Sequence, residues 1–479
     1  MLLDGRSLRV PDVERLARRD AEAEVAPESR ALVASARATV LAVARQRPVY
    51  GLSTGVGANR EVEVDTDDIG GHGMRVLRSH AACTGPTEAD DVVRATLAIR
   101  LNQILAGGSG IRPEVVDALA TALATDSLPV LHRYGALGTG DLSPLAELGL
   151  TLAGELPWRT GGVPPLRFVA GEALAFMSSS ALTLATAVLA SGMAARLIRA
   201  GHVVAALSFL ALQGNAEAYA PAVHEARPHR GSVEVAAELR RLLGPPRESS
   251  RIQDPFALRA IPQVNGAAVE TLDRVREVLD VEINSAVENP LVVAADGVPA
   301  EVLHHGQFHA TEVASALDSA RLAIAATCAL STGRLGALLE PDLTGLSVFL
   351  SSGPAGSSGL LVLEYVAHDV LAEIQHEAMP VTTGTAVISR GLEDHASFAT
   401  QAARYTAALA EHVPTVLGCE LVAAVRALRS APERVSGAPV QEAYAIADAA
   451  LPAGAADRPP GDDIAAAVAL LPRLAAAVG

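Results

Sequence analysis

Apolar residues recur at three- and four-residue spacing along most of this chain, and the segments carrying the pattern are long. The spacing predicts helices over 114–126, 182–213, 268–287, 309–330, 360–379 and 395–428. Several of these approach or exceed the usual length of a globular helix, which points to a bundle of long helices and a mainly α fold. Strand signals are few and short. The stretches 246–263 and 387–394 read as loops between helices, and the punctuated "LPAGAADRPPGDD" (451–463) sets off a short terminal helix.

Composition sharpens this picture. Half of the 479 residues are hydrophobic but only 3% are aromatic, so Ala, Leu and Val must fill the interior, as suits helices. All 38 basic residues are arginine. Without lysine the chain can form neither a lysine Schiff base nor a Walker phosphate loop. A net charge of -16 argues against a nucleic-acid surface. Cys83, Cys328 and Cys419 lie too far apart for a disulfide framework or a zinc site. The first residues lack an apolar signal core. The uncharged run 173–195 could span a bilayer by length, but its serines, threonines and following arginines favour a buried helix. A cytoplasmic protein without membrane or nucleic-acid partners is expected.

Five polar constellations interrupt the helical pattern. "VYGLSTGVGANR" (49–60) places Tyr50 on a glycine-rich loop, although a tyrosine is a poor base unless its surroundings lower its pKa. "LRSHAACTGP" carries His80. "IQDPFALRAIPQ" carries Arg259, a side chain suited to holding a carboxylate bidentately. In "HHGQFHA", His305 and His309 have metal-ligand spacing if the stretch is helical, yet no HExxH glutamate accompanies them and no metal is expected. "SRGLEDHASF" places Glu393, Asp394 and His395 at what reads as a helix start, where acidic groups complement the helix dipole.

In this order and spacing the five stretches resemble the aromatic amino acid ammonia-lyase family, which includes histidine, phenylalanine and tyrosine ammonia-lyases and related aminomutases. The likeness runs from about Tyr50 to His395 and includes "RLNQILAGGSGIRPEVVDAL" (100–119), "GTGDLSPLAELGLTLAGE" (138–155), "GEALAFM" (171–177) and "ENPL" (288–291). It implies elimination of an amine across the α–β bond of an amino acid. By resemblance, Tyr50 removes the β-proton, Arg259 binds the substrate carboxylate and Glu393 sits near the amine. His80 falls at a substrate-selecting position, and Gln253 also matches.

The family cyclises an internal Ala-Ser-Gly into an electrophilic methylidene-imidazolone that makes the amine a better leaving group. Here the stretch is one residue shorter and reads Gly138-Thr139-Gly140. Ser178, Gln307, Ser357, Phe256 and Leu392 also replace polar residues of the family pattern. Threonine would carry an extra methyl into the ring, and the shorter loop would strain it. The expectation is therefore no cofactor, with an open backbone at 138–140; a methylidene-imidazolone-type group from those three residues is the alternative.

Together these readings predict a mainly α, ammonia-lyase-like protein. An N-terminal active-site domain (1–200) would precede a central and C-terminal helical bundle (201–479). The long apolar helix faces and the resemblance imply a homotetramer. The expected activity is carbon–nitrogen lysis of a histidine-like or aromatic α-amino acid derivative, with Tyr50, Glu393 and Thr139 catalytic and His80, Arg259, Gln253, Ser178, Gln307 and Phe256 lining the substrate. An aminomutase of the same family and a non-catalytic tetrameric scaffold are the alternatives.

Overall fold

A computed structural model of the chain describes residues 1–64, 69–249, 251–294, 300–454 and 456–477. About 61% of the chain is helical. Four helices are long: Ala181–Ala211, Ile261–Glu282, Thr311–Leu339 and Ala399–Ser430. Strands are confined to two-stranded pairs, such as the antiparallel hairpin of Leu291–Val293 with Glu301–Leu303.

Several helix limits differ from the pattern reading, among them the end of the 268–287 helix at Glu282, and three have a local reason. The helix expected over 268–287 begins at Ile261, because Pro262 in the first turn lacks only an N–H that would find no helical partner there. The helix expected to stop at 330 continues to Leu339 through Ser331-Thr332-Gly333. The Thr332 hydroxyl there donates back to the Ala329 carbonyl (2.9 Å) and the Ser331 hydroxyl to Glu420 (2.5 Å), so neither competes with the helix. The helix expected from 395 starts at Ala399, after Phe398 in a left-handed conformation (φ 54°), with Ser397 Oγ accepting from the Ala399 N–H. Glu393, Asp394 and His395 therefore precede a helix rather than open one. His305 and His309 likewise lie in the non-helical stretch before Thr311.

The chain divides into two compact units. Unit 1 comprises Met1–Leu189, Val275–Leu317 and Val381–Arg404; unit 2 comprises Ala190–Arg274, Asp318–Pro380 and Tyr405–Gly479. In unit 1, Ala36 and Val40 of the helix Pro27–Ala44 pack with Val49, Leu52, Val292 and Val302 in one buried cluster. That cluster seats the loop around Tyr50 on the 291–303 hairpin. The fully buried guanidinium of Arg100 donates to the Phe176 and Ala175 carbonyls and to Glu288 (3.0, 2.7 and 2.8 Å), fixing the end of the helix Glu172–Met177 against the start of "ENPL".

Unit 2 is organised around a buried pair. Glu420 accepts two bonds from Arg334 (2.6 and 2.9 Å) and one each from Ser208 and Ser331 (2.6 and 2.5 Å). Three other arginines tie chain ends together. Arg434 Nη1 donates to the Ala211 and Thr344 carbonyls, Arg251 to those of Leu212 and Leu343, and Arg429 to those of Asp448, Leu451 and Pro452.

Among the described residues, three helical stretches are long and apolar enough to cross a membrane by length and composition. In Glu172–Ala211, which contains the whole uncharged run 173–195, 89% of the most apolar window lies inside the protein.

Candidate active site

The glycine-rich loop 49–60 brings Tyr50 to a cavity of about 550 Å³ in unit 1. Thr139, Ser178 and Glu393 line the same cavity, as do Asn289 and His304. Its size suits an amino-acid-sized ligand. Leu392, beside Glu393, is on the wall as well, so sequence reasoning named five of its wall residues, from four separate stretches. It singled out neither Arg60, Asn289, His304 nor Phe308 as site residues, although Asn289 lies within the quoted "ENPL". The visible cue for His304 was the His-His doublet that closes a short apolar strand.

The Tyr50 hydroxyl accepts a hydrogen bond from the Gly57 N–H (2.7 Å). Burial pushes the Tyr50 phenol above its ordinary range; the Gly57 N–H draws it down, the nearby Glu393 carboxylate raises it and Arg60 lowers it. Glu393 is held by a tight turn in which the Ile388 N–H donates to its carbonyl (2.8 Å). His80, at the end of the helix Ile69–His80, lines an adjoining cavity instead. That cavity shares Tyr50, Gly57 and Glu393 with the first. The His80 Nδ1 pairs with the Val76 carbonyl at 2.8 Å.

Thr139 is half-buried between two glycines of positive φ, Gly138 at 83° and Gly140 at 96°. A Cβ at position 138 would lie 2.2 Å from the Ser397 hydroxyl and 2.5 Å from the Ala399 nitrogen, so the alanine of the family triad has no room there. The Gly138 carbonyl, which ring closure would have to consume, accepts from Ser397 Oγ (2.7 Å) and the Ala310 N–H (3.1 Å). Asp141 follows immediately, buried, with its carboxylate accepting from the Thr183 N–H and hydroxyl (2.7 Å each).

Burial dominates and pushes the Asp141 carboxyl to about 6. Its folded value then exceeds the unfolded one, about 3.9. The stability linked to this group is present at acid pH and is lost as pH rises through 6, amounting to about 3 kcal/mol. Denaturant unfolding at pH 4, 5, 6 and 7 should show that decline in the parent protein and a shallower one in Asp141→Asn. Parallel curves would remove Asp141 as its source.

Two expected site residues sit apart from this cavity wall. Gln307 is exposed and its N–H donates to His305 Nδ1 (3.0 Å), while its neighbour Phe308 lines the cavity. Ser357 is absent from the wall and belongs to unit 2. His305 and His309 do not converge: His305 Nε2 pairs with the Glu288 carbonyl (2.8 Å), and His309 Nε2 with His395 Nδ1 (3.0 Å). Among the described residues no group of three metal-ligating side chains occurs.

The remaining expected site residues lie in unit 2. Asp254 is buried, paired with Arg251 (2.8 Å) and accepting from the Asn215 N–H (2.6 Å), which anchors the turn Phe256–Arg259. The Arg259 guanidinium carbon lies 4.4 Å from the centre of the exposed Phe256 ring. Arg259 Nε is buried without a hydrogen-bond partner among the described residues. Gln253 beside it is exposed.

Residues 8–449 match the model of the family described as aromatic amino acid lyase, which makes this chain an enzyme of the carbon–nitrogen lyase class. The chain belongs to that family. It is 36% identical to the histidine ammonia-lyase of Geobacillus thermodenitrificans over 449 residues, covering 89% of this chain and 88% of that one. The tyrosine aminomutase of Streptomyces globisporus superposes with a TM-score of 0.91 at 29% identity, covering 99% and 97% of the two chains. Ergothionase from Treponema denticola shares the fold, with a TM-score of 0.93 at 23% identity and 99% of each chain covered.

Proposed function

We propose that this protein eliminates an amine from a histidine-like or aromatic α-amino acid derivative whose amine leaves without covalent activation. The observation that carries the proposal is the Gly138-Thr139-Gly140 backbone. Its first carbonyl is held in place by two donors from distant segments, Ser397 and Ala310. These three residues remain an open chain, and Thr139 serves as a polar wall of the cavity. A primary amine is a poor leaving group, whereas a quaternary ammonium departs as a neutral amine and needs no electrophile. Tyr50 takes the β-proton, Glu393 faces the cationic amine, and Arg259 holds the carboxylate.

The working form is a soluble cytoplasmic homotetramer. Support for assembly comes from apolar side chains left in water, among them Ile252 at 92% exposure and Tyr365 at 73%.

Ultraviolet detection of the unsaturated acid tests the reading across histidine, tyrosine, phenylalanine and their N-trimethylated forms, alongside the intact mass. Turnover confined to the trimethylated forms, with the mass equal to that of the unmodified sequence, is expected. A mass lower by two waters together with ammonia release from a primary amine would overturn it. A β-amino acid product in place of the unsaturated acid would identify an aminomutase.

A further inference from the structure

His304 follows the strand Glu301–Leu303 directly, so the buried cluster that seats Tyr50 also sets its position. Val302 of that strand packs in one group with Val49 and Leu52, the residues flanking Tyr50. Two contacts register the pairing. The Tyr50 backbone N–H donates to His304 Nε2 at 3.4 Å, and the two rings meet edge to face with centroids 6.4 Å apart.

A ring nitrogen that accepts a hydrogen bond carries no proton, so in the neutral imidazole the proton sits on Nδ1. Nδ1 has no hydrogen-bond partner among the described residues, and His304 lines the cavity with Tyr50, Thr139 and Glu393. Partial burial, with the neighbouring Arg47 and His305, lowers the tendency of this imidazole to protonate, so near neutral pH it offers an uncharged N–H. His80 meanwhile opens on the adjoining cavity.

We infer that His304 is a specificity-determining residue: its Nδ1–H donates to an uncharged acceptor on the substrate side chain, such as an azole nitrogen, while its Nε2 steadies the backbone at Tyr50. The inference rests on the proposed substrate class and adds the residue that distinguishes an azole from a bare ring. A wall that donates a hydrogen bond favours a ligand that can accept it over one that cannot.

Calorimetric titration with 3-(imidazol-4-yl)propionate and 3-phenylpropionate tests this without turnover. The parent protein should bind the imidazolyl probe about tenfold tighter than the phenyl probe, in line with one net hydrogen bond. His304→Phe should lose that preference through weaker imidazolyl binding alone. His304→Asn, which keeps an N–H donor, should retain part of it, and thermal melts of both variants monitor folding. Preserved selectivity in His304→Phe, or equal weakening of both probes, overturns the assignment. If the parent protein itself binds neither probe or shows no preference, the substrate class fails first and the assignment falls with it.

Discussion

Replacing Tyr50 by phenylalanine should lower kcat by about 10²–10⁴-fold while leaving probe binding within a few-fold of the parent, as expected for loss of a positioned general base. The β-proton is weakly acidic, and the phenol faces the cavity with its oxygen held by the Gly57 N–H. The acid–base state sharpens the prediction. Because the Tyr50 phenol is pushed above its ordinary value of about 10, only its small ionised fraction acts near neutrality. Activity should therefore rise about tenfold per pH unit from pH 7 to pH 9 and level off only above pH 10. Glu393→Gln removes a carboxylate that raises the Tyr50 phenol, so it should move that rise toward lower pH. A flat pH profile, or unchanged turnover in Tyr50→Phe, would remove Tyr50 as the base.

Glu420→Ala should cost unit 2 about 3–5 kcal/mol, because it strands a buried guanidinium. Arg334 is almost fully buried and makes two bonds to the Glu420 carboxylate, whose other donors are Ser208 and Ser331. Removing the carboxylate leaves three donors facing an apolar gap. The damage should also reach the turn Phe256–Arg259, proposed above to hold the substrate carboxylate, since Arg334 Nη1 donates to the Ala257 carbonyl two residues before Arg259. Denaturant unfolding should show the stability loss, and affinity for 3-phenylpropionate should fall with it. Glu420→Gln, which keeps the shape and one acceptor oxygen, should lose less. A change below about 1 kcal/mol in Glu420→Ala would show that the pair contributes little beyond its own desolvation.

The long helices were legible because each keeps its apolar residues on a helical period, and Ala181–Ala211 matched the reading to within two residues at either end. Their limits were harder where a side chain changed the local accounting, as at Ser331 and Ser397, whose hydroxyls are engaged by distant or neighbouring groups. Tyr50, Thr139, Ser178 and Glu393 were legible as motif residues, and the fold collects them in one cavity. His304 was not, because its role depends on a hairpin packing beneath a loop 254 positions earlier in the chain. No local pattern records such a contact. The same holds for the hold of Ser397 on the Gly138 carbonyl, which joins residues 259 positions apart.

A chain that uses arginine for every basic position has made a usually conservative exchange consequential. Arg251 reaches the Leu343 and Leu212 carbonyls through its two terminal nitrogens, and Arg429 reaches Pro452 through one and Asp448 and Leu451 through the other, a spread that a planar fork provides from one stem. A lysine ammonium is a compact point donor and cannot reproduce that spread. Swapping arginine for lysine would be nearly silent on the outer surface and disruptive at these two junctions. In unit 2 they function as rivets, and their interchangeability was lost when the fork became part of the frame.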